Sequence, residues 1–249
     1  PLLVRSGSTM TLTPRAVALY PAVERGLSEL RATITGEPPF EPRTAGRVFT
    51  VGAVDYGQSL LLPPLLAFLE REAPRIDLAV VNAPDLFELL ENGRIDLAIV
   101  VGPTVPSAFR SRELFTDGFV CMVRRGHPVA RRKLTLARYL ELRHVVVAPT
   151  GSPGSVVDTE LAKRGKQRRV ALRVPDFLVA PLVVSNSDFI NTVPGRLATL
   201  HAKHHPVRLF PPPIPLPRFS ICLAWHARLD ADPAHVWLRN GIVRVARDV

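Results

Sequence analysis

From residue 47 onward, short apolar runs alternate with stretches of helical periodicity, and no other feature restricts the fold as strongly. RVFTVGAV, IDLAVV and IDLAIVV are separated by helical stretches near residues 57–72 and 84–92. Strands joined by helical crossovers pair in parallel, and a parallel sheet binds ligands beyond the carboxyl ends of its strands. The pattern therefore predicts an α/β fold with a crevice at that edge.

A second set of the same kind follows a long extended run, RELFTDGFVCMVRR. Beyond a short helix near Leu136, the strands HVVVAP, RRVALRV and DFINTVP alternate with helices, and FSICLAW precedes a last helix. These helices are expected near residues 155–164, 176–185, 195–204 and 233–247. Two α/β lobes joined by extended crossings explain this order. We place lobe I at about residues 47–120 and 220–249, and lobe II at about residues 121–219.

The amino-terminal region has a different pattern, in which apolar residues recur at steps of three and four. The stripe consists of Ala16, Leu19, Tyr20, Val23, Leu27, Leu30 and Ile34. The pattern predicts a helix at 14–36 that is capped by Thr13, bent at Pro21 and ended by Gly36. A helix that leads into a Pro-rich linker at 37–46 cannot bury its apolar stripe alone. We therefore predict that this helix pairs with a second copy of itself.

Composition excludes several classes of protein. The chain has 249 residues, of which 47% are apolar, and no run approaches the roughly 18 apolar residues that span a membrane. The first residues lack the basic and then apolar pattern of a secretory signal, so we expect a cytoplasmic protein with no membrane partner. Cys121 and Cys222 each lie in an apolar run typical of a buried strand, and no disulfide is expected.

The net charge is +10, and it is unevenly distributed. Residues 121–175 contain thirteen basic and three acidic residues. Such a surplus can attract polyanions. Because the basic residues are not interleaved with a set of aromatic residues that would stack on bases, a solvated face is the simpler interpretation.

Six stretches, taken in order, resemble a LysR-type transcriptional regulator. PLLVRSGSTMTLTPRAVAL is similar to the end of the winged helix-turn-helix and the start of the linker helix, and AVDYGQSLLLPPLLAFLEREAP to the first strand and helix of the effector-binding region. DLAIVVG is similar to its third strand, and LFTDGFVCMVRRGHPVA to the crossing into the second lobe. VPDFLVAPLVVSNSDFINTVPGRLA and LAWHARLDADPAHVWLRNGI resemble the branch of nodulation and aromatic-degradation regulators.

The resemblance implies a fold and a function. It implies a two-lobed, periplasmic-binding-protein-like (type 2) effector-binding domain at 47–249, preceded by the linker helix, with residues 1–13 as the end of a truncated winged helix-turn-helix. It also implies a small-molecule inducer between the lobes and a homodimer or homotetramer. That oligomer would contact promoter DNA through the missing N-terminal domain, with RNA polymerase as a further partner. No cofactor is required, and without the recognition helix only weak, nonspecific DNA binding is expected.

Several residues at the predicted crevice are suited to ligand binding. Asp55 and Tyr56 lie where the first strand turns into a helix, and Gln58 can add a side-chain hydrogen bond, although Asp55 also suits an ordinary helix cap. Gly102 and Thr104 follow the third strand of lobe I. In lobe II, Thr150 follows HVVVAP in a comparable loop, for which a plain turn is equally compatible.

The resemblance adds further residues. Phe109 and Arg110 precede the crossing strand, where related regulators place bulky residues that line the pocket. Arg110 suits a carboxylate clamp or an exposed surface position equally. In VPDF, relatives commonly have His where this chain has Asp176 before Phe177, which disfavours a salicylate-like anion. Thr192 resembles the hydrogen-bonding residue of the contact loop in the second lobe.

Other functions are weaker alternatives. His201, His204 and His205 have helical spacing, but without an acidic or Cys residue nearby no metal site is expected. We find no paired carboxylates, nucleophile–base motif or phosphate loop, so we do not expect an enzyme. A solute-binding receptor of a transport system shares the two-lobed architecture and is the main alternative.

Overall fold

A computed structural model describes residues 2–6, 9–35, 40–131, 133–149 and 154–249. Thr150, Gly36 and part of the predicted linker therefore lie outside the described residues. The strands are β1 (Leu3–Ser6), β2 (Thr9–Leu12), β3 (Arg47–Ala53), β4 (Ile76–Val81), β5 (Leu97–Val101), β6 (Phe109–Asp117), β7 (Phe119–Arg124), β8 (Arg143–Val147), β9 (Arg169–Val174), β10 (Phe189–Pro194), β11 (Val207–Phe210) and β12 (Phe219–His226). The helices are α1 (Pro14–Thr35), α2 (Asp55–Glu72), α3 (Leu86–Glu91), α4 (Leu136–Glu141), α5 (Val156–Ala162), α6 (Val179–Ser185), α7 (Gly195–Ala202) and α8 (Pro233–Val245).

Lobe I is built on a five-stranded sheet of order β4-β3-β5-β12-β6. β3, β4 and β5 are parallel, whereas β12 runs antiparallel to both β5 and β6. Helices α2 and α8 cover one face, where Phe49, Leu61 and Leu238 are buried, and α3 covers the other face through Leu86 and Leu90. The predicted βαβαβ unit is confirmed.

Lobe II is built on a second five-stranded sheet, of order β11-β7-β10-β8-β9. β8, β9 and β10 are parallel, and β7 pairs antiparallel with β10 and β11. Helices α4 and α5 pack on one face and α6 and α7 on the other. The chain crosses between the sheets twice, once at Gly118 and once through the proline-rich segment between Phe210 and Phe219. The predicted fold of two α/β lobes is thus confirmed.

Several helix boundaries differ from the prediction by up to three residues. α2 begins at Asp55, two residues earlier than expected, and α7 ends at Ala202. α6 begins at Val179, three residues later than expected. The reason is that the backbone amide of Leu178 donates a hydrogen bond to the Asp55 carboxylate of lobe I at 2.9 Å. A contact between the lobes, which no local pattern reveals, therefore sets the start of this helix.

The predicted amino-terminal helix is present and its apolar stripe is open to solvent. The Thr13 hydroxyl accepts a hydrogen bond from the Ala16 amide at 3.2 Å, which confirms the cap, and α1 continues through Pro21 without interruption. The exposed apolar residues are Val17, Leu19, Tyr20, Val23, Leu27, Leu30 and Ile34. Ahead of α1, β1 and β2 form an antiparallel hairpin. Within the described residues, no helix is both long and apolar enough to cross a lipid bilayer.

Buried histidines make the fold sensitive to acid. Burial, reinforced by the nearby Arg168 cation, lowers the pKa of His144 from 6.5 to about 4. Burial also lowers the pKa of His201 and of His235. Since the unfolded chain takes up these protons near pH 6.5 and the folded chain does not, their stability contribution is complete above pH 6.5. It is lost as the pH falls below 6.5, and for His144 the loss continues to about pH 4.

We therefore expect the free energy of unfolding to fall on acidification, with about 2 kcal/mol of the loss between pH 7.5 and pH 5 due to His144. Urea titrations at the two pH values measure it. In His144→Gln the difference between the two pH values should shrink by about that amount, whereas in Lys203→Gln, which removes no imidazole and lies at an exposed position, it should stay as in the wild type. An unchanged difference in His144→Gln would contradict the assignment.

Candidate functional site

The edges of the two sheets lie next to each other, and we call the junction between them the cleft; topology defines its two edges. In lobe I the edge is formed by the carboxyl ends of β3 and β5 and by the crossing end of β6. In lobe II it is formed by the start of β7 and the carboxyl ends of β8, β9 and β10. The amide of Gly195 donates to the Gly118 carbonyl at 2.8 Å and holds these edges together at the first crossing. This is the edge where the sequence predicts a ligand.

Asp55 joins the two lobes. It is the first residue of α2 rather than the residue that caps it, a position held by Val54. Its buried carboxylate accepts the hydrogen bond from the Leu178 amide of lobe II. Burial raises the pKa of Asp55, and the nearby Asp176 carboxylate acts in the same direction. The expectation of an ordinary helix cap for Asp55 is wrong, because the carboxylate is used across the cleft.

Asp117 is a second carboxylate between the lobes, and the sequence analysis did not identify it. It is 6% exposed and lies at the end of β6, next to the first crossing. One oxygen accepts from the Tyr56 hydroxyl at 2.8 Å and from the Arg196 amide at 3.1 Å, and the other accepts from the Gly118 amide at 2.7 Å. The signal in the sequence was an Asp-Gly pair inside the extended run that joins the lobes.

Arg196 ties α7 of lobe II to lobe I, and it too was missed. Its guanidinium lies 4.9 Å from the centre of the Phe115 ring and donates to the carbonyls of Thr116 and Val249. Leu197 and Leu200, on the same helix, pack into the core of lobe I. The lobes are therefore fastened along the flank that carries α2 and α7.

Four aromatic side chains form a continuous row across the cleft, which we call the interlobe aromatic cluster: Tyr56, Phe119, Phe177 and Phe219. The ring centres of Tyr56 and Phe177 are 6.0 Å apart, those of Tyr56 and Phe219 are 6.1 Å apart, and those of Phe119 and Phe219 are 5.1 Å apart. Burial, together with the Asp117 carboxylate, raises the pKa of Tyr56, so its hydroxyl stays protonated as a donor. Each lobe contributes two of the rings.

Phe109 and Arg110 do not reach the cleft. They begin β6, whereas only its other end, at Asp117, lies at the crossing. At about 3.3 Å per residue the two ends are separated by about 26 Å. The Phe109 ring packs on Phe87 at 5.2 Å, and the exposed Arg110 lies 3.8 Å from Asp230. The structure thus places both residues at the far end of lobe I, away from the crossings.

Three other predicted residues lie at the lobe I edge, where their polar groups make local contacts. Gly102 begins a short turn after β5, and a Cβ atom there would lie 2.4 Å from the Ser220 hydroxyl, so close packing requires glycine. The Thr104 hydroxyl donates to the Val101 carbonyl at 2.6 Å. The side-chain amide of Gln58 donates to the Ala53 carbonyl at 2.7 Å. A ligand would have to compete with these contacts.

In lobe II, Asp176 and Phe177 lie at the cleft, whereas Thr192 faces inward. The Thr192 hydroxyl is within hydrogen-bonding distance of two groups: the Tyr139 hydroxyl at 2.8 Å and the Cys121 sulfur at 3.5 Å. Next to the Tyr139 hydroxyl lies Arg168, whose side chain is only 2% exposed. Its guanidinium donates to both carboxylate oxygens of Asp158. Thr192 belongs to this internal polar cluster, and the expectation that it contacts the ligand stays a prediction.

A cavity of about 480 Å³ lies beside the crossings. Gly118 and Phe119 bound it on one side, the prolines of the second crossing on another, and Arg218 closes it. Phe119 is shared with the interlobe aromatic cluster, so this cavity adjoins the cleft. Within the described part of the chain, no group of three or more His, Cys, Asp or Glu side chains is arranged to hold a metal ion.

Two α/β lobes, joined by two crossings and in contact through the interlobe aromatic cluster, define the class of two-lobed α/β proteins. The model of the LysR substrate binding domain family matches residues 43–247. The chain belongs to this family.

Known regulators resemble nearly the whole chain. It is 34% identical over 242 residues to the HTH-type transcriptional activator NahR of Pseudomonas putida, covering 96% of this chain and 81% of NahR. It is 33% identical over 250 residues to nodulation protein D 1 of Mesorhizobium japonicum, covering 98% of this chain and 79% of that protein. The crystal structure of a probable transcriptional regulator from Pseudomonas aeruginosa has a TM-score of 0.77 at 33% identity, with 97% and 82% of the two chains covered.

These comparisons confirm the resemblance to the nodulation and aromatic-degradation branch. They identify the chain as a ligand-responsive regulator of the LysR type, and they do not support the transport-receptor alternative.

Proposed function

We propose that the cleft binds a neutral aromatic molecule against the interlobe aromatic cluster. The single observation that carries this proposal is the row of four rings shared equally by the two lobes, because planar rings stack favourably at these separations. Two carboxylates, those of Asp55 and Asp176, lie at the same edge. A ligand anion there would be repelled, whereas a phenolic hydroxyl would donate a hydrogen bond to a carboxylate.

Binding would act through the closure of the lobes. A ligand in contact with rings of both lobes has a higher affinity for one angle between the lobes than for another, and this difference shifts the equilibrium between the two arrangements. A coupling of about 1–3 kcal/mol, typical of allosteric proteins, corresponds to a change of roughly 5–150-fold in the second binding event. In this proposal Asp55 and Asp117 set the closed geometry, because each holds groups from both lobes.

The proposed second event is promoter binding by the oligomer. Two chains would pair through the exposed stripe of α1, as a homodimer or as half of a homotetramer, and a winged helix-turn-helix ahead of α1 would contact promoter DNA in the cytoplasm. RNA polymerase is the proposed further partner. The ligand is released unchanged, since the proposed role requires no chemical reaction and no cofactor.

The ligand class is tested by titrating the chain with catechol, benzoate and cyclohexanol, with binding followed by NMR chemical shifts. We expect catechol to bind most tightly. Phe177→Ala should weaken catechol binding about tenfold through the loss of one stacked ring, and Asp176→Asn should strengthen benzoate binding about fivefold by removing a like charge.

Phe109→Ala is the matched control, because it removes a ring of the same kind at the far end of β6. It should leave all three affinities unchanged. Equal losses in Phe177→Ala and Phe109→Ala, or the tightest binding for cyclohexanol, would overturn the proposal.

A further inference from the structure

The end of lobe II that points away from lobe I is strongly basic. At this distal pole β8, β9 and β10 begin, β7 ends and β11 begins, so the loops that join them all meet there. Basic side chains on these strand ends, in these loops or on the walls of the groove at this edge include Arg124, Arg125, Arg138, Arg143, Lys166, Arg169 and Lys203. Three further basic residues of the loop between α5 and β9 are paired with carboxylates of α5: Lys163 and Arg164 with Glu160, and Arg168 with Asp158. The acidic side chains that line the groove are Glu141 and Asp188.

Most of this charge is not neutralised by the protein. Arg124 binds Asp188 at 2.7 Å. Arg143 and Arg169 lie directly opposite each other on neighbouring strands, and both are exposed. Neither forms an ion pair with a carboxylate among the described residues. Like charges directly opposite each other on a sheet are destabilising, so an external anion at this position would relieve a repulsion within the fold.

The pole also contains a groove that can admit an anionic group. A cavity of about 750 Å³ is lined by His127, Arg138, Arg143, Glu141 and Asp188. The Arg143 guanidinium lies 4.5 Å from the centre of the Phe189 ring, which holds its planar donor group at the edge of this groove. A guanidinium fixed in this way is suited to a phosphate.

The surface chemistry favours duplex nucleic acid over an acidic protein. Protein interfaces have an apolar centre, whereas interfaces with DNA are polar and positively charged. Within the described residues of lobe II, the exposed large apolar side chains are Leu178, Val179 and Leu182 around α6, and none lies at the pole. Proteins that bind single-stranded nucleic acid use exposed aromatic rings on which the bases stack. Among the described residues of the pole, no aromatic ring is exposed.

We propose that the distal pole of lobe II binds the phosphate backbone of duplex DNA without reading its sequence. Five strands at about 4.8 Å spacing give the pole a width of about 19 Å, the axial length of five to six nucleotides of one strand. The choice of DNA rests on the proposed function, which keeps the protein beside a promoter. Lobe II would then hold the DNA that flanks the promoter site, in addition to the contacts made by the winged helix-turn-helix.

The test measures fluorescence anisotropy of a labelled 30-base-pair duplex of arbitrary sequence with the 249-residue chain, between 50 and 200 mM NaCl. We expect weak binding whose affinity falls steeply with salt. Arg143→Glu combined with Arg169→Glu should lower the affinity at least tenfold at about 50 mM salt and reduce the slope of log K against log salt by about two.

Arg75→Glu combined with Arg94→Glu is the matched control, since it makes the same change in net charge at exposed positions of lobe I. This pair should change the affinity less than about threefold. Equal losses in the two double variants would show attraction by net charge alone and overturn the proposal. So would tighter binding of polyglutamate than of DNA, which would indicate an acidic protein partner. The catechol titration does not involve this pole, so the two proposals fail independently.

Discussion

Asp117→Ala should open the two lobes and destabilise the chain by about 3–5 kcal/mol. The substitution leaves three donors without this acceptor: the buried Tyr56 hydroxyl and the half-buried amides of Gly118 and Arg196. Each such loss costs about 1–3 kcal/mol when the group stays buried. Since the donors belong to both lobes and to the crossing, the chain can recover hydration by separating the lobes.

Urea unfolding measures the loss of stability, and small-angle X-ray scattering measures the opening as a larger radius of gyration. Asp117→Asn is the control, because its amide oxygen still accepts a hydrogen bond, and we expect a smaller effect. Tyr56→Phe removes one donor only and should cost about 1 kcal/mol. A radius of gyration for Asp117→Ala equal to that of the wild type would show that this carboxylate does not hold the lobes together.

Val23→Glu combined with Leu27→Glu should raise the dissociation constant of the proposed dimer more than about 100-fold. Both side chains are more than half exposed in the single chain, at 55% and 56%, and lie on the apolar stripe of α1. Burial of one such side chain contributes about 1.5–3 kcal/mol, so the loss of both corresponds to two or more orders of magnitude. Two like charges in each copy add repulsion across the contact.

Sedimentation velocity over a range of concentrations measures the dissociation constant. Arg25→Glu places a new acidic group on the opposite side of the same helix, two residues from each of the substituted positions. It should leave the dimer intact. A wild-type chain that sediments as a monomer, or a dimer that withstands the double substitution, would contradict the assignment of α1 as the dimer contact.

The two-lobed fold was predictable because its signal is local. Apolar runs such as IDLAIVV became β5, and the stripe from Ala16 to Ile34 became α1, since burial of an apolar face decides these elements within a few residues. The helix boundary that was predicted least accurately is the start of α6. It depends on Asp55, which lies 123 residues from Leu178 in the chain. No pattern within a short window contains that contact.

The site was less predictable for the same reason. Asp55, Tyr56 and Phe177 lie at the cleft because each follows a strand that ends there, and their contact with a ligand stays a prediction. Phe109 was expected at the pocket only from the resemblance, and in the structure it lies at the far end of β6, where it pairs with His226. Asp117 was missed because its role depends on Tyr56, 61 residues earlier in the chain.

The two crossings between the lobes differ in stiffness, and this determines how the lobes can move. One crossing is the single residue Gly118, which has the widest choice of backbone angles. The other crossing contains five prolines, whose rings fix the backbone angle φ: Pro211, Pro212, Pro213, Pro215 and Pro217. The proline segment thus acts as a strut of constant length, and Gly118 acts as the pivot. One lobe should therefore swivel on the other at a fixed separation, so that an inducer changes the angle between the lobes and not the distance between them.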